Sequence, residues 1–328
     1  MSIPRKHIQA IEIARLYYEE GRTQAEIAAE MGVSRATVSR SLKVAHEIGA
    51  VQIRVVDPHS DCSELSEEVR TRFGLQRAIV VPVLEDSPET IKRNIGSVAA
   101  DYLARIVKPG SIIGVSWGTT IATLVAALRP MKRTGVKIVQ LLGADGCSVD
   151  PAHINEVARG IAEAFRGDWY LLPAPGVVHD EAIRDALLQE ASIEAMLEMC
   201  RQADIALVGI GACDSSSGTV HLGYLTPEEI GKMREDGAAG EICYRFYDIN
   251  GQTLESQLEN RVVGITLEDL SSIDTRMGIA GGLSKAEAIL GALRGRYVNV
   301  LVVDEITARR VIELDDELRI RSDDSDAR

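Results

Sequence analysis

Apolar residues recur at helical spacing from the start of the chain. Ile8, Ile11, Ile13, Ala14, Leu16 and Tyr17 mark one face of a helix over residues 4–20, and Gly21 stops it. Thr23 with Glu26 three positions on has the spacing of a capping box, and Ile27, Ala28 and Met31 supply the inner face of a second helix. Gly32 provides a turn, Ser34 an N-cap, and Val38, Leu42 and Ala45 hold a third helix down. Ala28 lies four residues before Gly32 and Val38 six after it. This is the spacing of a helix-turn-helix, which needs a small residue where the helices cross and an apolar anchor on the second helix. The alternation in VQIRVV, residues 51–56, predicts a short wing or pairing strand.

Beyond residue 61 the period changes. Short β-branched runs at 78–83, 111–116, 136–141, 169–172, 205–210, 243–248, 274–279 and 298–303 lack polar alternation, as strands covered on both faces do. Helical patterns at 89–106, 120–128, 154–165, 182–200 and 285–293 separate them. The expected fold is an all-α helix-turn-helix domain at residues 1–56, a linker at 57–63 broken by Pro58, and an α/β domain with a mostly parallel sheet at 64–314. The charged residues 315–328 read as a frayed tail.

Five strand ends run into glycine loops, and ligands of parallel sheets bind at such ends. The loop after 111–116 reads Trp117-Gly118-Thr119-Thr120 before a helix. Glycine lets backbone approach an anion, hydroxyls donate to it, and the helix N-terminus adds positive potential. Gly143, Gly209 and Gly211, and Pro173–Gly176 end other strands, and Gly281-Gly282 precedes Lys285. Together these loops favour a pocket for a phosphorylated small molecule.

Charge separates the two parts. The chain has 328 residues and a net charge of −13, of which residues 1–56 carry +2 and the remainder −15. No acid occurs between Met31 and His46, whereas Arg35, Arg40 and Lys43 do. A helix so depleted of acid in so acidic a chain is expected to read DNA. Arg35 and Ser39 would lie near base edges, Ser34, Arg40 and Lys43 on phosphates, and Thr37 toward solvent beside them on the DNA-binding face. Five scattered cysteines without a C-x-x-C pair imply free thiols in a reducing cytoplasm, with no zinc site. MSIPRKHIQA has no apolar leader, and no run approaches the ~20 apolar residues needed to span a bilayer, so no membrane partner is expected.

Two enzyme readings compete. Gly114-Val-Ser116-Trp-Gly118 satisfies G-x-S-x-G, with His153, His179 or His221 as a base and Asp214 as its orienter. A hydrolase explains neither Thr119-Thr120 nor the DNA-reading helix. A phosphosugar isomerase would share the phosphate loop and need a carboxylate base, for which Asp145, Asp214 and Asp248 are candidates.

GVSWGTT at 114–120, the 209–211 loop, YRFYDINGQ at 244–252, AGGLSKAEAILGAL at 280–293 and VLVVDEITA at 300–308 resemble the SorC family of bacterial sugar-responsive transcription regulators, some of them called DeoR. The resemblance spans nearly the whole chain. It implies a phosphosugar-isomerase-like effector domain without catalysis or cofactor, and dimers or tetramers on operator DNA. The implied effector is a sugar phosphate, or otherwise an unphosphorylated sugar or polyol, and repression of a carbohydrate-catabolism operon is the expected sign of control. Ser116, Trp117, Gly118, Thr119 and Thr120 would hold the effector with Gly143, Gly209, Gly211, Gly281 and Gly282. Lys285 would add a charge-assisted contact, Asp248 would accept from sugar hydroxyls, and Glu241 would position it. Some relatives carry a lysine in the loop after the 136–141 strand that forms a Schiff base with an aldehyde sugar. Here QLLGADG has Leu142 and no lysine, so a noncovalent effector is expected.

Overall fold

The computed structural model describes residues 4–18, 20–51, 62–85, 87–144 and 154–326. The chain divides into two compact units, Met1–His59 and Ser60–Arg328.

The first unit is a three-helix cluster of α1 (Arg5–Tyr18), α2 (Gln24–Glu30) and α3 (Arg35–Glu47). The capping box at α2 forms in full: Glu26 N–H donates to Thr23 Oγ1 at 3.3 Å and Thr23 N–H to Glu26 Oε2 at 2.8 Å. Gly21 and Gly32 take φ of +69° and +64°, the left-handed turns that glycine reaches without strain. Ala10, Ile13, Ala14, Ile27, Ala28, Val38, Leu42 and Ala45 close the core. Ile8 and Ile11 instead stand 51% and 36% exposed, so the inner stripe of α1 runs through Ala10, Ile13 and Ala14. The expected wing strand and most of the expected linker lie outside the described residues.

The second unit alternates as the sequence predicts. In its first half α4 (Ser63–Arg72) leads to β1 (Arg77–Val81), α5 (Pro88–Ile106), β2 (Ile112–Val115), α6 (Thr119–Ala127), β3 (Lys137–Gln140), α7 (Ile154–Phe165) and β4 (Asp168–Tyr170). Then come α8 (Glu181–Leu188), α9 (Ala191–Arg201), β5 (Ile205–Gly209), β6 (Gly211–Ala212), α10 (Gly218–His221), α11 (Pro227–Glu235), β7 (Ala238–Ile242) and β8 (Arg245–Asp248). The chain ends with α12 (Leu267–Ser272), β9 (Thr275–Ile279), α13 (Ala286–Arg294), β10 (Val300–Asp304) and α14 (Glu305–Asp326).

Seven parallel strands form one sheet in the order β1-β10-β9-β5-β2-β3-β4. Successive side chains of each strand feed opposite faces. Ile205 and Leu207 join the layer of α5, α6 and α7, whereas Ala206 and Val208 join that of α4, α9, α12, α13 and α14. Between β2 and β5 the order reverses: the chain leaves β2 toward β3 on one side and β5 toward β9 on the other. That is the topological switch point, where a crevice opens beyond the carboxyl ends of the strands.

Three expectations change. The run 243–248 is not part of the parallel sheet. Cys243 and Tyr244, at φ +54° and +62°, make a two-residue hairpin joining β7 to β8, and with β6 these form a separate antiparallel sheet. The helix expected over 182–200 is two, since Asp180 caps α8 and a new helix starts after Glu190. Residues 315–326 continue α14 rather than fraying at Asp315. The Asp315 carboxylate is 2% exposed and takes Arg72 Nε at 2.7 Å, Arg294 Nη2 at 2.7 Å and Arg319 Nε at 2.9 Å, which ties α14 to α4 and α13.

Candidate effector site and DNA-reading helix

Ser116 follows β2 and Gly209 ends β5, so the switch point brings them together. Gly209 N–H donates to Ser116 Oγ at 3.3 Å, and that hydroxyl reaches Trp117 O at 3.4 Å. Gly118 then turns the chain with φ +144° and caps α6 without a side chain. The first amides of α6 therefore have no side-chain acceptor. Thr119 is exposed; Thr120 is 5% exposed, and its hydroxyl has no partner among the described residues. Glycine, open helix amides and two threonines are groups that can cradle an anion.

Lys285 enters from the loop after β9. Gly282, at φ +98°, starts a 3-10 turn over Leu283–Lys285, and Lys285 Nζ donates to Ile210 O at 2.9 Å, immediately beyond β5. Burial holds its ammonium below the ordinary lysine value. Glu241 opposes that shift, Lys92 adds to it, and Asp214 opposes it again. Glu241 is 9% exposed on β7, opposite Gly211 of β6. A β-carbon on Gly211 would run into its carboxylate. Burial pushes the Glu241 carboxyl up, while the Tyr244 N–H, 2.8 Å from Oε2, and the Lys285 charge pull it down. Ser116, Gly209, Gly211, Glu241 and Lys285 are thus linked around the ends of β2 and β5, and Thr120 follows Ser116 at the start of α6.

Other expected residues are committed elsewhere. Asp248 Oδ1 accepts from Asn250 N at 2.9 Å and Gln252 N at 2.7 Å, holding the turn after β8 beside the far end of α13. It caps a turn and does not join the cluster. Gly143 packs on the 174–175 backbone, where a β-carbon would stand 2.5 Å from Pro175 C. Its N–H donates to Val263 O at 2.9 Å. Gly282 N–H already donates to Asp304 Oδ2 at 2.8 Å and Thr307 Oγ1 at 2.9 Å, and Gly281 is pressed on Ile95. Their loop positions Lys285 and has no free amide at Gly282. Trp117 packs on Gly218 and lies 5.6 Å from the Tyr244 ring, so its indole joins protein segments.

The structure also brings Lys92 of α5 and Asp214 of the β6–α10 loop near Lys285. Lys92 follows no strand, and only the packing of α5 over the sheet puts it there; Asp214, read in the sequence only as an enzyme carboxylate, lies just beyond the 209–211 glycine loop. Among the described residues Ser116 makes no hydrogen bond with a histidine. His221 Nδ1 sits 3.1 Å from Ser217 O, His179 is exposed on another loop, and Asp145 and His153 lie outside the described residues.

On α3, Arg35, Ser39 and Lys43 are exposed at intervals of four, which aligns them along one face. Lys43 is 80% exposed and only 4.0 Å from Glu47. Ser34 Oγ accepts from Thr37 N at 3.1 Å and lies 2.9 Å from Thr37 Oγ1, so this pair caps the helix. Arg40 is exposed, and its Nε donates back to Ala36 O at 3.2 Å.

Residues 57–313 match the family described as "Putative sugar-binding domain", and residues 2–47 match "Sigma-70, region 4". The deoxyribonucleoside regulator of Bacillus subtilis (strain 168) is 37% identical, covering 92% of this chain and 96% of its own. The sorbitol operon regulator of Klebsiella pneumoniae is 32% identical over 92% of this chain and 97% of its own. The crystal structure of the full-length Klebsiella pneumoniae sorbitol operon regulator SorC superposes with a TM-score of 0.75 at 32% identity, covering 94% of this chain and 99% of that one. The chain belongs to the SorC family of transcriptional regulators. As a SorC-family member it is a DNA-binding regulator with a sugar-binding domain, and not an enzyme. Among the described residues no helix is long and apolar enough to cross a membrane.

Proposed function

We propose that this SorC-family regulator controls a carbohydrate-catabolism operon in the cytoplasm and is switched by a sugar phosphate bound at the β2–β5 switch point. The phosphate sits on the α6 N-terminus against Ser116, Gly118, Thr119 and Thr120, with Lys285 as counter-charge and Glu241 accepting from sugar hydroxyls. The observation that carries the reading is the convergence of the α6 cradle with Lys285 across two adjacent strands joined by the Ser116–Gly209 bond. The DNA-reading unit works as part of a homodimer or homotetramer on an operator with matching symmetry. Repression, relieved by the effector, is the proposed sign of control. A coupling of ~1–3 kcal/mol between the two ligands changes operator affinity from several-fold to about a hundredfold.

An unphosphorylated sugar or polyol is the second reading. Lys285 already spends one N–H on Ile210 O, and its buried setting disfavours its charge. A relative named for a sorbitol operon also points to a neutral ligand. A thermal-shift screen of sugars, polyols and their phosphates separates the two, because a ligand of the folded state raises the melting temperature. A sugar phosphate that stabilises the chain and changes its operator affinity supports the first reading. Stabilisation by the free sugar alone overturns it.

A further inference from the structure

Lys92 belongs to a helix whose inner residues close on both sides of the crevice. Ile91 and Ile95 press on the loop after β9: a β-carbon on Gly281 would run into Ile95 Cδ1 and stand 3.4 Å from Ile91 Cγ2. One turn further, Gly96 lets α5 lie directly on α6, where a β-carbon would stand 2.7 Å from Leu124 N. Thr123 Oγ1 donates to Lys92 O at 2.9 Å and ties the two helices at that level. The turn bearing Lys92 is therefore held between the loop that delivers Lys285 and the helix whose N-terminus is open.

Lys92 is half-buried, and its charge acts against that of Lys285. Two ammonium groups whose charges are felt across partly buried protein repel each other, and burial weakens the screening by water. Glu241 and Asp214 offset part of that charge. The Glu241 carboxylate is engaged by Tyr244 N, and Asp214 Oδ1 by Ser216 N at 2.8 Å and Ser216 Oγ at 2.6 Å. An arriving anion with several acceptor oxygens would relieve the remaining repulsion.

We infer that Lys92 is a second cation of the effector site, meeting phosphate oxygens from the α5 side as Lys285 meets them from the β9 side, and that this pair selects a phosphate dianion over a neutral sugar. The inference rests on the effector site proposed above and names the residue that sets its ligand class. A neutral polyol could satisfy the threonines but leaves the two cations offset only in part, by Glu241 and Asp214. A phosphate compensates both.

The test is calorimetric titration of the full chain with inorganic phosphate at low and moderate salt. The variants are Lys92→Met, which keeps the apolar stem, Lys92→Arg, and the exposed Lys108→Met as a control. Loss of a charge-assisted contact predicts phosphate binding about tenfold or more weaker in Lys92→Met, with a shallower salt dependence. Lys92→Arg stays within about threefold of the parent, and Lys108→Met is unchanged. The unliganded Lys92→Met protein melts no lower than the parent, since a repulsion has gone. Lys92→Gln serves if the methionine variant does not fold. Parent-like phosphate affinity and salt dependence in Lys92→Met overturns the inference while leaving the effector site standing. A parent protein that binds no phosphate but is stabilised by a free sugar overturns both.

Discussion

The indole of Trp117 lies so close to the backbone of Gly218 that no side chain fits between them. A β-carbon on Gly218 would stand 2.8 Å from Cζ2 and 3.1 Å from Cζ3. The loop at 116–120 is thereby keyed to the segment that follows Asp214, and through the Tyr244 ring to the β7–β8 hairpin. Gly218→Ala should force the indole aside and cost about 1–3 kcal/mol, as overpacking does. A β-carbon on Gly231 in α11 would meet nothing within 4 Å, so Gly231→Ala should be neutral or stabilise by about 0.5–1 kcal/mol. Urea unfolding of the two variants checks the contrast, and equal midpoints would remove the keying.

Asp315 should make stability depend on acid. Burial raises its carboxyl pKa, but hydrogen bonds from Arg294 and Arg72 outweigh burial and leave it below the ordinary value. A depressed folded pKa contributes stability that is fully present above the unfolded value, about 4, and disappears as pH falls through the lower folded value. Asp315→Asn should cost about 2–3 kcal/mol at pH 7, less than a fully buried pair because the arginines keep some water. The gap between parent and variant should narrow below about pH 4. A gap that persists at the lowest pH at which both fold would contradict the ionic origin.

The thiols should differ sharply in reactivity, since the thiolate is the nucleophile. Burial pushes Cys200 up to about 12 and Cys213 up to about 11, and raises Cys243 as well. Cys62 is only partly buried. Mass-resolved alkylation at pH 8 should modify Cys62 well before Cys200, Cys213 and Cys243, which become reactive on unfolding. Early labelling of Cys243 would mean that the β7–β8 hairpin opens readily.

The elements that carry their own signals are legible in the chain. Thr23 with Glu26, Gly32 and Ser34 act locally, and each stands in the structure where its spacing implies. The buried β-branched runs announce the parallel sheet, because strands covered on both faces need no polar alternation. β7 is not legible: its AAGEI has no β-branched residue until Ile242, and its strand character comes from pairing with β6 and β8. The glycine loops look alike in sequence, yet they do different work. Gly118 opens a helix end, whereas Gly143 and Gly281 allow backbone and side chains to pack where a β-carbon would clash. Nothing local distinguishes these uses. Asp248 ends a strand, as expected, but its carboxylate serves the turn that follows. Lys92 is silent in the sequence because a lysine on an amphipathic helix ordinarily faces water.

The proposed DNA contacts of α3 make base reading and backbone attraction separable by mutation. Arg35 stands at the first helical position, exposed, where an α3 lying in a major groove meets base edges, while Lys43 lies two turns on. Arg35→Ala should cost about 1–3 kcal/mol on the cognate operator and relax sequence preference. Lys43→Ala should weaken cognate and noncognate DNA alike and reduce the salt slope by about one. Ser34→Ala should act differently again. Its hydroxyl caps α3, so the loss of about 1 kcal/mol appears in the stability of the DNA-reading unit before it appears in affinity. Operator titrations at several salt concentrations, beside melting curves of each variant, resolve the three. If Arg35→Ala lowers affinity equally on every sequence, Arg35 contacts phosphate and the base-reading role passes to Ser39 or Thr37.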